Sequence, residues 1–364
     1  MSENFFKEKK EWSRYKDFIL AYYLYYLHLA LNSRTVQTDQ QHYGRQTCVM
    51  SVLALLLFAP QNYEIYQWIC ARRRRFTTNE HGHNSSQGET MKYDEIGEWS
   101  EIKLDILKEY AGAYTAILSK KSWCKGYIYI DAFAGPGQHI RKTTGEFVTG
   151  SPLNALSVRP SFTEYHYIDL DGEKVEELRK IADNRAGVHV YHGDCNEKLT
   201  QDILPRLTYD TYKRALCFLD PYGLHLEWKT VKLAGSLKTV DIFLNFPIMD
   251  INRNVLFADL GKAKREDVER MNAFWGDDGW QQILYREQSG LFGGTHLVKV
   301  EGFERLALEY RKRLKTIAGF KFVPEPVLMR NAKNGPLYYL FFASPQRVAE
   351  KIISDIFKKY RKRL

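Results

Sequence analysis

Tyr127-Ile128-Tyr129-Ile130-Asp131-Ala132-Phe133-Ala134-Gly135-Pro136-Gly137 is an apolar run that ends in a carboxylate and passes at once into a loop of small residues. A run of aromatic and β-branched residues with no polar alternation reads as a strand buried on both faces. Ala134, Gly135 and Gly137 present little or no side chain, so a ligand can lie against their backbone. Asp131, at the strand end, can accept hydrogen bonds from an ammonium group such as the methionine end of S-adenosylmethionine. His139 and Ile140 stand where an NAD fingerprint carries its third glycine region, so the loop points to S-adenosylmethionine over a dinucleotide.

Outward from this strand, the chain alternates short apolar runs with helical segments. Strands are predicted at 127–130, 164–168, 188–191, 215–219 and 240–246, and helices at 99–120, 152–156, 172–182, 197–207 and 226–234. That order predicts a parallel sheet with right-handed crossovers. Late in the chain, 321–329 and 337–343 flank Ala332-Lys333-Asn334-Gly335, and Asn-Gly between apolar runs signals a hairpin. The fold class is therefore α/β, Rossmann-like, with the parallel sheet and C-terminal antiparallel hairpin of class I methyltransferases.

The start of this pattern is doubled. Glu11-Trp12-Ser13-Arg14-Tyr15-Lys16-Asp17-Phe18-Ile19-Leu20 returns as Glu98-Trp99-Ser100-Glu101-Ile102-Lys103-Leu104-Asp105-Ile106-Leu107, with Tyr23 and Tyr110 following at equal distance. After the second copy comes the α/β pattern. The first runs into 32–90, where no periodicity lasts and where Arg72 to Arg75 and a polar His81 to Gly88 run occur. Residues 1–90 are thus expected to be an irregular N-terminal extension left from an upstream paralogue, with Met91 starting the intact domain, 91–364. A helical extension that recognises substrate is the rival expectation.

Five cysteines are scattered with no CxxC pair, and no histidines cluster at ligand spacing, which predicts a reduced, cytoplasmic protein with no structural metal. The longest apolar run, Cys48 to Pro60, falls short of the roughly 18 residues that span a bilayer, so no membrane partner is expected. Formal net charge is +9, with dense clusters at Arg311-Lys312-Arg313 with Lys315 and at Lys358-Lys359 with Arg361-Lys362-Arg363. Such clusters suit phosphate contacts and equally suit a solvated helix face and a frayed basic tail.

Further carboxylates stand at the ends of successive strands. Asp169 follows His166-Tyr167-Ile168, where this fold grips ribose hydroxyls. Asp194 follows His192-Gly193, within reach of an adenine amino group, with Cys195 beside the ring. Each is equally at home as a helix N-cap or turn residue. Their recurrence with Asp131 at three strand ends is what points to a ligand. The fourth strand ends Phe218-Leu219-Asp220-Pro221-Tyr222-Gly223. A similar Asp-Pro-Pro-Tyr turn in amino-methyltransferases aims a carboxylate side chain and a proline carbonyl at the target NH2, with the aromatic ring stacked on its base. Asp220, Pro221 and Tyr222 are the predicted catalytic residues. Tyr222-Gly223 in place of the second Pro is more like tRNA guanine-N2 dimethyltransferases than DNA adenine enzymes. Asn245-Phe246-Pro247, His139 and Arg141 are lesser candidates, and Cys195 lacks the Pro-Cys setting of a cytosine-C5 nucleophile.

Together, Glu98-Trp99-Ser100 with Lys103, the 129–137 strand and loop, Gly150-Ser151-Pro152, Phe218 to Gly223 and Phe274-Trp275-Gly276-Asp277 resemble three-Cys-motif partner (TcmP) proteins, across nearly all of the chain after Glu98. The resemblance implies a class I S-adenosylmethionine-dependent methyltransferase-like domain and pairing with a companion protein that carries three cysteines and looks radical-S-adenosylmethionine-like. Three functions follow as expectations. One is methyl transfer to an exocyclic amino group of RNA or DNA. The second is a non-catalytic module that binds S-adenosylmethionine or nucleic acid for the companion. The third, an NAD-dependent oxidoreductase, has the wrong glycine spacing.

Overall fold

The computed structural model describes residues 93–183, 185–289 and 295–363. They belong to the second of the chain's two units, Glu89–Leu364, and the expectations for residues 1–90 and for Met91 lie outside the described residues. Long runs of apolar residues in β7 (Lys213–Leu219) and β8 (Val240–Phe246) are buried almost throughout, as required of strands covered on both faces. They lie at the centre of a seven-stranded sheet ordered β11-β12-β8-β7-β2-β5-β6. Its other members are β2 (Gly126–Asp131), β5 (Glu164–Asp169), β6 (Val188–His192), β11 (Val327–Arg330) and β12 (Pro336–Ala343). Neighbours pair in parallel except β12, which runs antiparallel to both β8 and β11. A parallel core with one reversed strand next to the edge is the class I methyltransferase sheet, so the fold is α/β and Rossmann-like as expected.

Alternation along the strands gives each face its own core. Tyr129, Tyr167, Leu216, Phe218 and Phe243 point to one face, which is covered by α1 (Glu98–Leu118), α2 (Ser151–Ser157) and α10 (Arg347–Arg361). Ile102, Ile106, Tyr110 and Tyr114 recur at helical spacing and form the buried side of α1. Ile128, Ile130, Ile168, Cys217 and Leu219 face the other way. There they meet α4 (Cys195–Glu197) with the segment that follows it to Arg206, α5 (Trp228–Leu237) and the insertion after β8, which comprises α6 (Ile248–Asn254), α7 (Arg265–Trp275), α8 (Gly279–Leu284), the hairpin β9–β10 (Tyr285–Ser289, Thr295–Lys299) and α9 (Phe303–Thr316). α3 (Gly172–Ala182) connects β5 to β6.

Three local expectations are corrected. The predicted strand 321–329 is a strand only over Val327–Arg330, with Phe322 making an isolated bridge to Ser344; Pro324 and Pro326 lack the N–H that a ladder needs. The predicted helix 197–207 is a helical turn, Cys195–Glu197, a π-helical run, Lys198–Ile203, and a 3-10 turn, Leu204–Arg206, ending where Pro205 removes a donor. The basic C-terminal cluster is no frayed tail, since Ile353, Phe357 and Tyr360 bury one side of α10. In the same way Phe274-Trp275-Gly276-Asp277 is packing. Gly276 closes α7 at φ 104°, and a Cβ there would lie 2.3 Å from Trp228 Cδ1. Arg313 lies over the Trp228 and Trp275 rings and donates to Asp277 Oδ2.

Candidate functional site

The carboxyl ends of β2, β7 and β8 open into a cleft of about 540 Å³, the edge at which this topology binds ligands. Ala134, Gly135, Asp220, Pro221 and Tyr222 all line it, joined by Lys103, His139 and Asn245. Asp131 is fully buried and, like Gly137, Asp169 and Asp194, lies outside the lining.

The loop after β2 is tied down on both sides. Ala132 N donates to Phe218 O and Ala134 N to Ile168 O. Gly135 and Gly137 take φ of 64° and 84°, in the left-handed region that favours glycine. A Cβ on Gly137 would come within 2.6 Å of Ile181 on α3, whereas one on Gly135 would meet nothing nearer than His139 Cε1 at 3.8 Å. Gly137 packs against the helix, and Gly135 lines the cleft. Asp169 holds the loop in place, accepting from Gly135 N at 2.8 Å and from Asp171 N at 2.9 Å. Asp194 is exposed and caps the following helical turn, accepting from Asn196 N and Glu197 N.

Asp131 Oδ2 accepts a 3.2 Å bond from Tyr129 Oη, and Oδ1 has no hydrogen-bond partner. Burial pushes its carboxyl up to about 7; the Ser151 and Tyr129 hydroxyls pull it down while the negative Asp220 adds to the rise. Asp220 is paired twice. Its Oδ2 accepts from Lys103 Nζ at 2.5 Å and its Oδ1 from Asn245 Nδ2 at 2.7 Å. Lys103 comes from α1, and its ammonium also lies over the Phe218 and Tyr338 rings. Asn245 Oδ1 and His139 Nδ1 are buried without partners. Burial also pushes the His139 imidazole below its ordinary value, which keeps it neutral near pH 7.

A small three-stranded sheet, β1 (Glu95–Ile96), β3 (Gln138–Arg141) and β4 (Phe147–Thr149), adjoins the cleft. Just before it, Asp94 Oδ2 accepts from Tyr222 Oη at 2.9 Å and Lys174 Nζ at 3.0 Å. Burial raises the Asp94 carboxyl, but Lys174 and Tyr222 together hold it below the usual range. Tyr222 is 58% exposed, with Lys174 Nζ 5.1 Å from the centre of its ring. Arg141 is already engaged, donating to both Glu101 oxygens at 2.8 Å and to Glu146. Several residues of the late basic clusters are likewise committed. Arg311 donates to Val323 O, Lys312 to Glu309, Lys359 to Glu109, and Arg361 to Glu325 O and Pro326 O.

Lys103 and Asp94 join the site without having been predicted as site residues. A signal for Lys103 stood in the sequence, because the lysine is present in both copies of the EWSxxK pattern; Asp94 had none. Cys195 and Cys217 are buried, and burial pushes both thiols up, which disfavours the nucleophilic thiolate. No helix among the described residues is long and apolar enough to cross a membrane.

No family model matches the sequence, and no curated protein matches it. Among solved structures, a Legionella pneumophila protein described under the family model DUF519 is similar at 15% identity and a TM-score of 0.43, over 72% of this chain and 92% of its own. A Leishmania major SAM-dependent methyltransferase is similar at 12% identity and a TM-score of 0.32, over 66% and 72%. Trm5b of Pyrococcus abyssi is similar at 14% identity and a TM-score of 0.30, over 65% and 49%. Strand order, not these scores, establishes the fold.

Proposed function

We propose that this chain is an S-adenosylmethionine-dependent methyltransferase acting on an exocyclic amino group of a nucleic-acid base. The observation that carries the proposal is a pair of buried acceptor atoms without hydrogen-bond partners, Asp131 Oδ1 and Asn245 Oδ1, beside the glycine loop that lines the cleft on the ligand-binding edge of the sheet. An unpartnered buried acceptor costs about 1–3 kcal/mol, a cost that a ligand bearing N–H donors removes. Asp131, Ala134, Gly135 and Gly137 would hold the methionine end, Asp169 the ribose hydroxyls and Asp194 the adenine amino group. The bound cofactor supplies an electrophilic methyl group.

The chain's own part is positioning. A carboxylate offers about four lone-pair directions, so Asp220 retains room for a third donor after Lys103 and Asn245. With the Pro221 carbonyl it would orient the nitrogen lone pair of the target amine, and the exposed Tyr222 ring would stack on the base. The charge of +9 suits a polyanionic substrate. Membership of the three-Cys-motif partner type, a cytoplasmic location and a three-cysteine companion belong to the same proposal and rest on the motifs quoted above.

One observation favours the non-catalytic binding module: Lys103 at 2.5 Å and Asn245 at 2.7 Å already engage the two oxygens of Asp220. Calorimetric titration of the full chain with S-adenosylmethionine, followed by a label-transfer assay on tRNA and on DNA, separates the two. Binding that Asp131→Asn abolishes, together with transfer that Asp220→Asn abolishes, is the expected result. Binding without transfer selects the module, and no binding by a folded chain, or preferential binding of NAD, overturns both.

A further inference from the structure

Glu164, His166 and His189 converge at the start of β5 and β6, the opposite end of those strands from Asp169 and the glycine loop. Glu164 and His166 are two residues apart on β5 and so share a face, and His189 on β6 is the register partner of His166. One ligand atom from each lies within 4.8 Å of the others. No sequence spacing announces this set, because two strands contribute it.

We propose that these three residues form a binding site for a divalent transition-metal ion, with zinc as the best fit. Two ligands, each about 2.05 Å from a tetrahedral zinc, stand about 3.4 Å apart. His166 Nε2 and Glu164 Oε2 are already 3.6 Å apart, so this pair needs almost no rearrangement. The exposed His189 can turn its ring to close the rest. Two imidazoles and one carboxylate suit zinc, cobalt or nickel over magnesium or calcium, which prefer all-oxygen sets. Three protein ligands leave a fourth position for water or an external ligand.

The surroundings fit the same reading. His166 Nδ1 lies 3.0 Å from Tyr191 Oη; a proton donated there leaves the Nε2 lone pair free for the ion and fixes the ring, as outer partners of metal-bound histidines do. Lys213 Nζ donates to Glu164 Oε1 at 2.7 Å, which orients the carboxylate and leaves Oε2 to the metal. The three ligands sit on strands, which hold them more precisely than loops would. An ion here would fasten the edge strand β6 to β5.

The test compares the full chain with His189→Gln, a substitution at an exposed position that spares the core. Histidines outside the described residues are common to both proteins and cancel. Equilibrium titration with zinc is expected to show one more equivalent bound by the wild type, and cobalt to give a tetrahedral ligand-field absorption that the variant lacks. Magnesium should give neither. Tyr191→Phe is expected to keep the stoichiometry and weaken zinc binding about tenfold. Equal stoichiometry and equal cobalt spectra in the wild type and His189→Gln would overturn the site, and undiminished affinity in Tyr191→Phe would overturn the assigned ligation through Nε2. Neither result bears on S-adenosylmethionine binding in the cleft.

Discussion

The two ends of the central sheet carry hollows of comparable size and opposite character. At the carboxyl ends lies the cleft of about 540 Å³; at the amino ends of β7 and β8, a hollow of about 470 Å³ is walled by Tyr110, Tyr114, Trp123, Tyr209 and Arg214. Each has a buried aspartate beside it, Asp131 at the cleft and Asp241 at the amino-end hollow. In the amino-end hollow, Asp241 Oδ1 accepts from Ser344 Oγ and Oδ2 from Tyr110 Oη, both at 2.6 Å, and Arg214 lies over the Trp123 and Tyr209 rings. None of the buried atoms without partners among the described residues belongs to its lining. In the cleft lining Asn245 and His139 each keep one, as does Asp131 just outside that lining. Volume does not distinguish the two hollows, whereas unmet hydrogen-bonding capacity in their linings does; Trp275 Nε1, Tyr310 Oη and Arg313 Nε, also without partners, belong to neither lining.

The sharpest way to break this contrast is to titrate the two aspartates. Burial raises both carboxyls, Asp131 to about 7 and Asp241 to about 6, from 3.8. The folded state therefore binds each proton more tightly than the unfolded chain. The stability so contributed is full below about pH 4 and is lost as pH rises to the folded value, a fall of about 4 kcal/mol for Asp131 and about 3 kcal/mol for Asp241. Asp131→Asn is expected to flatten the pH dependence of urea unfolding by about 4 kcal/mol between pH 4 and 7 and to abolish S-adenosylmethionine binding. A variant with the wild-type slope would contradict the burial argument. Wild-type affinity for the cofactor should also rise as Asp131 ionises through pH 7.

Asp241→Ala should behave in the opposite way. It strands the Tyr110 and Ser344 hydroxyls and is expected to cost about 3 kcal/mol at pH 7, while cofactor affinity in the folded protein stays at the wild-type value. Loss of that affinity in a folded variant would show that the two hollows are coupled. Lys103→Met should be milder, costing about 2 kcal/mol, because it leaves Asp220 charged and only partly exposed. The double variant Lys103→Met, Asp220→Asn should recover most of that loss. A double variant as unstable as the sum of the single changes would mean that the pair carries no coupling.

The contrast between the two hollows also marks what the sequence made legible. Strand 127–130, its glycine loop and the five-strand order can be read directly, since runs buried on both faces are continuously apolar and the loop glycines have conformations other residues avoid. The Asp220 turn is equally legible as a motif. The partner of Asp220 is not: Lys103 lies 117 residues away, and only its repetition in the doubled EWSxxK pattern hints at a role. Asp169 and Asp194 carry the residue type that ribose and adenine contacts require, yet in the structure they already hold Gly135 N and a helical turn. Local patterns specify what a strand end can do, and long-range packing decides what it is already doing. The Glu164, His166 and His189 cluster was hidden for the same reason, as was the commitment of Arg141 to Glu101.

The smallest predicted effect tests Tyr222, whose two halves serve different ends. Its hydroxyl reaches across to Asp94, and burial together with that negative neighbour holds the phenol well above its ordinary value, so it donates throughout the working range. The residue as a whole is 58% exposed. Removing the hydroxyl costs one hydrogen bond to a charged acceptor that Lys174 still satisfies, so Tyr222→Phe should destabilise by about 0.5–1 kcal/mol and leave methyl transfer nearly unchanged. Tyr222→Ala should cost little more in stability but lose the stacking surface, worth about 1–3 kcal/mol per base, which corresponds to roughly tenfold or more in substrate affinity. If the two variants lose substrate affinity equally, the contribution lies in the Asp94 tether and not in the ring, and the cleft recognises its substrate by shape held from α3 and the 93–97 segment instead of by stacking on a base.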